Sequence, residues 1–335
     1  MLTKERIAEI RNDLREKTVG IIGDFCLDIY WRADMTRSEL SRETPHFPLP
    51  VIDEAVSLGA GGNVAANLAA LCPKKVVGLS LYGDDWRGML LLEQAARAGI
   101  ASDLFIRTQG RFTNAYCKPM KKGVSDVVYE DPRLDFDNYA PIDRATEDAV
   151  IANLDRLAEL CDVLCVADQF RYGIVTDRVR ERIISHAKNG LPVIADSRYH
   201  IAKFTDCILK PNEAECWRAV YGDEGYLTAS SDELTATADT LARRNRATVF
   251  CTLGDKGSYL TKGENGCRTP AVKVAGPLDI CGAGDTTLAA FACALAAGAS
   301  FADAAQLASL ASAVTVNKIG VTGTATFKEI TEQLT

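Results

Sequence analysis

The sequence predicts an α/β fold: a mostly parallel central sheet with helices on both faces, a three-layer α/β/α sandwich, carrying a small β-sheet lid. Three observations predict it. Short apolar runs of strand length alternate with stretches of helix length along most of the chain. Several of those runs end in a polar or glycine-containing loop that leads into the next helix. Two polar stretches, about 30–57 and 104–136, break the alternation with residues that are apolar at every second position.

The elements follow in order. "MLTKERIAEIRNDLREK" is a charged amphipathic helix without the apolar centre of a signal peptide. "TVGIIGDFCLDIYW" holds a buried strand from Val19 to Ile22 that ends in a polar loop. The first irregular stretch carries Pro45, Pro48 and Pro50. "NVAANLAALC" reads as a helix with Asn63 near its start, and "KVVGLSLYG" as a strand. "WRGMLLLEQAARAG" is a helix closed by Gly99. The second irregular stretch contains "AYCKPMKKGVSDVVYE" and Pro132. "DVLCVAD" and "LPVIADS" are apolar strands ending in Asp168 and Asp196, with the helical "TDRVRERIISHAKNG" between them. "CILKPNEAE", "ATVFCTLGDKGSYL" and alanine-rich helices complete the alternation.

The two irregular stretches read as one small sheet, a lid; two long surface insertions are the alternative. An isolated small sheet is marginal in water and needs a partner surface. Val51, Ile52, Val124, Val127 and Val128 therefore predict that the lids of two chains pack together as a homodimer, hiding strand edges.

With 335 residues, 47% of them hydrophobic and 25% charged, the chain has ample length for a large core, expected here as a single domain over 1–335 with the lid segments inserted. A formal net charge of -7 disfavours nucleic acid as a partner. The 11 cysteines lack metal-ligand spacing, and are expected as reduced thiols in a cytoplasmic protein. No run is long and apolar enough to span a bilayer.

Chemistry concentrates in "DICGAGDTTLAAF". Gly282, Ala283 and Gly284 let backbone N–H groups approach an anion, and the helix that follows adds its positive end. Such a turn suits charge developing on a transferring phosphoryl group. Asp285 cannot favour that anion by its charge, so it reads either as a general base for a hydroxyl or as a helix N-cap. "GAGGNVAAN" is a second glycine-rich turn, and it fits neither a P-loop nor a dinucleotide fingerprint. Its Asn63 amide could read ligand hydroxyls, and the Asp28 of "GDFCLD" could accept hydrogen bonds from neighbouring sugar hydroxyls; a tight turn is the alternative for either segment. "KPNEAE" sets Asn212 and Glu215 on one face of a helix start, where they could hold hydrated Mg²⁺. "CTLGDKG" is a glycine-rich strand end suited to nucleotide phosphates.

In this order the segments resemble the ribokinase-like sugar kinases, the PfkB carbohydrate kinase family, over nearly the whole chain. The resemblance implies a ribokinase-like fold, ATP and Mg²⁺ as cofactors, and a small sugar or sugar phosphate as substrate. It implies Asp285 as the catalytic base, with Gly282 to Gly284 as the anion hole. Asp28, Gly59, Asn63 and Asp168 are implied on the sugar, and Asn212 and Glu215 on the Mg-nucleotide. Thr252, Gly254, Gly257 and Ser309 are implied on the nucleotide side. Main-chain carbonyls near Asp279, Cys281, Thr315, Lys318 and Gly320 are implied around a monovalent cation such as K⁺. The chain departs from the usual pattern with Ile280 where threonine is common, Leu58 where the sugar turn often begins with glycine, and Ser309 where asparagine is frequent.

Within that family, "SRETPHFPLPVIDEAVSLGAGGNVAANLAAL" and "EDPRLDFDN" look most like the heptose 7-phosphate kinase group. The only histidines, His46, His186 and His200, cannot form the H-x-G-H motif of a fused nucleotidyltransferase. Arg37, Arg42, Lys118, Lys121, Lys122, Arg133, Arg171 and Arg198 are candidates to hold a substrate phosphate, against the simpler reading of solvated surface charge. The expected function is phosphorylation of a sugar or sugar phosphate by ATP. A kinase of an unphosphorylated sugar and a non-catalytic sugar-binding relative are the alternatives. An oxidoreductase is disfavoured because no G-x-G-x-x-G follows the first strand.

Overall fold

A computed structural model describes residues 2–125, 127–319 and 323–334. Nine strands form the main sheet, in the order Cys267–Thr269, Ser258–Thr261, Thr248–Thr252, Ile208–Leu209, Val193–Ser197, Val163–Asp168, Thr18–Gly23, Lys75–Leu79 and Ile100–Ala101. Neighbours from Thr248–Thr252 to Ile100–Ala101 run parallel, and the two strands beyond Thr248–Thr252 are antiparallel. Val163–Asp168 is buried at every position. Its Val163, Cys165 and Ala167 join one core with the helices Gly61–Ala70, Ala283–Ala296 and Phe301–Thr315. Leu164 and Val166 join the opposite core with Arg144–Leu160, Asp177–Lys188 and Ser231–Asn245. Alternate residues of one strand thus serve two cores, which makes the three layers.

The lid is a second sheet, ordered Leu134–Phe136, Ala115–Lys122, Phe25–Asp34 and Val51–Ala60, with Val128–Glu130 also paired to Ala115–Lys122. It differs from the expectation in two respects. Its central strand starts at Phe25, and Leu27, Ile29 and Cys117 at its base are fully buried in the main core. Ile106–Thr108 is not part of it, and pairs instead with Leu81–Gly83. Val51, Ile52, Val124, Val127 and Val128 toward its far end are exposed, as is Leu134 on its edge strand.

One residue, Asp24, separates the central strand Thr18–Gly23 from the lid strand Phe25–Asp34. Its buried carboxylate accepts the backbone N–H groups of Gln169 (2.9 Å), Phe170 (2.8 Å) and Ile174 (2.8 Å). This ties the lid's root to the loop after Val163–Asp168. A Cβ at Gly173 would stand 2.1 Å from the same carboxylate, so only glycine fits there. All 11 cysteines are free, eight of them buried. No described helix is long and apolar enough to cross a membrane.

Candidate active site

Asp285 lies in the first turn of Ala283–Ala296. The N-cap of that helix is Gly282, in the left-handed region at φ 79°, so the capping alternative for Asp285 is excluded. Asp285 reaches sideways instead, and its Oδ2 accepts the Asn63 Nδ2–H at 2.6 Å. Burial pushes its carboxyl up to about 7. The Asn63 bond opposes that rise, Asp196 adds to it, Lys210 opposes it and Asp28 adds to it. A carboxylate poised near neutrality beside a helix start can take a proton from a hydroxyl.

The residues expected on the sugar lie at the lid's root. Asp28 is buried, with Lys118 Nζ 3.2 Å from its Oδ1. Lys118 also donates to the Tyr30 hydroxyl at 2.8 Å, and its ammonium lies 4.5 Å from that ring's centre. Gly59 packs beside them: a Cβ there would be 2.7 Å from Cys26 Sγ and 3.0 Å from Asp28 Oδ2. A cavity of about 830 Å³ opens beneath the lid, lined by Tyr30, Lys118, Met120, Lys122, Asp279 and Cys281 among others. Asp28, Gly59, Asn63 and Asp285 therefore converge on one corner. Asp168 has partners of its own. Its Oδ2 accepts the Ser197 hydroxyl at 2.6 Å and lies 3.2 Å from His200 Nδ1, with an Arg180 guanidinium nitrogen at 3.9 Å. It fixes the loop after Val193–Ser197.

Of the residues expected on the nucleotide, Asn212 and Glu215 form a capping box. Asn212 Oδ1 accepts Glu215 N–H at 2.8 Å, and Glu215 Oε2 accepts Asn212 N–H at 2.9 Å. The box leaves Glu215 Oε1 as the oxygen that could meet a water of hydrated Mg²⁺. Asn212 bridges Thr252, whose N–H donates to Pro211 O at 3.0 Å, so two distant segments stand side by side. Gly257, at φ 88°, turns the chain where a Cβ would strike Thr269 O at 2.1 Å. Gly254 begins the same turn, at φ 58°. Ser309 Oγ donates to Pro270 O at 3.3 Å.

Sequence reasoning missed two residues that join these halves. Lys210 is 3% exposed, its Nζ is 2.8 Å from Asp196 Oδ2, and it lies 3.8 Å from where a Cβ on Gly284 would stand. Burial disfavours its charge, but Asp196, Glu215 and Asp285 together raise its pKa, so it stays protonated. Burial, with the charge of Asp196, pushes the Glu215 carboxyl upward in turn. The signal was present: Lys210 opens "KPNEAE" directly after a strand, and Asp196 ends another.

The carbonyls expected around a monovalent cation belong to two loops joined by an Asp279 N–H to Val316 O bond of 2.8 Å. Thr315 O already accepts Lys318 N–H at 2.9 Å, and Cys281 N–H donates to Asp279 Oδ1 at 3.0 Å. Among the described residues no group of His, Cys, Asp and Glu could hold a metal ion. Gly320 lies outside the described residues.

The sequence pattern of pfkB family carbohydrate kinases matches residues 53–327. Bifunctional protein HldE of Hyphomonas neptunium is 32% identical over 97% of this chain and 65% of its own length. The HldE protein of Caulobacter vibrioides is 32% identical over 98% of this chain and 65% of its own. The chain thus spans about two-thirds of the length of these relatives. Among solved structures, Arabidopsis thaliana ribokinase complexed with ribose and ATP superposes with a TM-score of 0.68, at 21% identity over 95% of this chain and 99% of that one. Phosphofructokinase-2 from Escherichia coli in complex with potassium superposes at 0.72, at 17% identity over 95% and 97%. These two share the fold. Because the matched pattern runs from the lid to the last helix and takes in both sides of the cleft, the chain belongs to the pfkB family of carbohydrate kinases.

Proposed function

We propose that this kinase phosphorylates a hydroxyl of a sugar phosphate resembling a heptose 7-phosphate, with Asp285 as the base. The observation that carries the base assignment is the Asp285 carboxylate, poised near neutrality between Asn63 and the Asp28 corner. Asp28 would accept hydrogen bonds from the sugar hydroxyls, and Asn63 holds one oxygen of Asp285 so that the other faces the substrate. The backbone N–H groups at the helix start and the Lys210 ammonium meet the charge on the transferring group. Mg²⁺ arriving with the nucleotide would be met through water by Glu215 and would offset phosphate charge. Asn212, Thr252, Gly254, Gly257 and Ser309 border the nucleotide, and a K⁺-like ion at the Asp279 loop would brace the anion hole.

Two observations support a phosphorylated substrate. The HldE relatives align over nearly all of this chain. Arg171 and Arg198 make no ion pair among the described residues, and Arg171 stacks over Tyr199 at 5.8 Å. Arginines without a carboxylate partner can grip a phosphate bidentately. One observation favours an unphosphorylated sugar instead: Lys118, Lys121, Arg37 and Arg133 are already paired with Asp28, Asp131, Asp34 and Asp135. ADP release with MgATP against a panel of free sugars and their terminal phosphate esters separates the two. The phosphate ester is expected to give the higher kcat/KM, because remote binding energy positions the reacting hydroxyl. Equal values, or preference for the free sugar, would leave a general sugar kinase.

The exposed apolar residues of the distal lid support a homodimer through that sheet. Sedimentation at micromolar concentration is expected to show a dimer that Val51→Lys with Val128→Lys dissociates; a wild-type monomer would dispose of the idea. The free thiols fit a reducing compartment such as the cytoplasm.

A further inference from the structure

Behind Asp285 lies a buried polar chain of which the proposed reaction uses only Asn63. Asn63, Asn67 and Thr286 are each 1% exposed. Thr286 Oγ1 donates to Asn67 Oδ1 at 2.8 Å. Asn67 Nδ2 then points at three oxygens: Asn63 O (3.0 Å), Asn63 Oδ1 (3.3 Å) and, more distantly, Gly323 O (3.5 Å). Asn63 Nδ2 in turn donates to Asp285. The chain leaves the base and returns to the residue that follows it.

Each link has a direction. A carboxylate only accepts, so Asn63 must present its NH₂ to Asp285 and its carbonyl to the rear. Asn67 makes that orientation unique, because its own NH₂ is surrounded by acceptors. The main-chain carbonyls of Asn63 and Gly323 hold the Asn67 NH₂, and the Thr286 hydroxyl then donates to the Asn67 carbonyl and anchors that end of the chain. An amide has two nearly isosteric orientations, and only its partners choose between them. A reversed Asn63 would set a carbonyl oxygen against the carboxylate.

We propose that Asn67 and Thr286 are positioning residues, which lock the Asn63 amide with its NH₂ toward Asp285 and so hold the base in its working orientation. This rests on the reading of Asp285 as the base. Loss of the lock removes a donor from the ionised carboxylate, which favours its protonated form. The acidic limb of the pH–rate profile therefore moves to higher pH. The other groups facing Asp285 are Asp28 from the lid strand, Asp196 and Lys210 from neighbouring strand ends, and the thiols Cys26 and Cys281. None of them is altered by a change at 67 or 286.

The experiment is kcat against pH for wild type, Thr286→Val, Thr286→Ser and Asn67→Ala, with MgATP binding measured directly. Thr286→Val and Asn67→Ala are expected to raise the acidic-limb pKa by about half to one unit, which below the limb is about a 3–10-fold loss of kcat. Above the limb the loss should shrink to about twofold or less, with ATP affinity unchanged. Thr286→Ser keeps the hydroxyl and is expected to restore the wild-type limb. An unmoved limb, or an equal loss at every pH, overturns the proposal. Should either variant fail to fold, the other carries the comparison, with Asn67→Ser in reserve. Asp285→Asn separates the two readings. Its retained activity would sink the base assignment, whereas its inactivity together with an unmoved limb would sink only the positioning role.

Discussion

Asp285→Asn is expected to lower kcat by about 10²–10⁴-fold while nucleotide still binds. The reason is confined to one proton. The amide matches the carboxylate in shape, and its carbonyl can still accept the Asn63 N–H that now spans 2.6 Å. The buried Asn63 donor keeps its partner, so the fold should stand. What is lost is the capacity to accept a proton from the substrate hydroxyl. The wild-type pH dependence follows from the same group. Burial raises the Asp285 carboxyl to about 7, so below that pH it is increasingly protonated and cannot act as a base. Wild-type kcat should therefore rise with pH through about 7, and the residual rate of Asp285→Asn should lack that rise. A variant retaining more than about a tenth of wild-type kcat would contradict the assignment, since general-base catalysis is worth far more.

Lys210→Met is expected to damage both stability and turnover. Methionine approximates the length of lysine without its charge. The Asp196 carboxylate, 2.8 Å from the ammonium, would then be buried without its cation, among Glu215 and Asp285. Leaving one partner of a buried pair uncompensated costs about 3–5 kcal/mol. Catalysis suffers by two routes. The ammonium beside Gly284 no longer offsets charge on the transferring group, a loss of about 10²–10³-fold by analogy with a removed anion-hole donor. The Asp285 carboxyl also loses a cation that favours its ionised form, so its acidic limb moves to still higher pH. Asp196→Asn in the same chain should recover much of the stability but not the turnover, because it removes the stranded charge without replacing the ammonium. Thermal unfolding and kcat/KM for ATP measure the two effects separately. A single variant with wild-type melting and wild-type kcat/KM would remove Lys210 from the account.

The parallel sheet was legible because its central strands announce themselves. Val163 to Ala167 has no polar side chain to place, and such a run needs cover on both faces. Asp285 was legible as a position, at a glycine turn opening a helix, but not as a role, since a cap and a base share that sequence. Gly282 at the helix start excludes the cap, and the proposed base role draws on Asn63, 222 residues away along the chain. The root of the lid was hidden for a similar reason. The apolar alternation of Leu27 and Ile29 continues the central strand almost unbroken, and the break at Asp24 exists only because N–H groups from 169–174 converge on it. The antiparallel edge Ser258–Thr261 and Cys267–Thr269 is a pairing that no local period specifies. Lys210 was read past because a lysine is ordinarily a solvated side chain. Asp196, from the neighbouring strand, is what makes its burial tolerable.

The most direct measurement is ³¹P NMR of the wild-type enzyme and Asp285→Asn, each with MgATP and a panel of sugar phosphates and free sugars. The account predicts that the wild type converts ATP to ADP with equal formation of one new phosphate ester, and that Asp285→Asn shows neither while its ATP remains bound. Release of inorganic phosphate without a new ester, or the same ester formed at a comparable rate by Asp285→Asn, would contradict it.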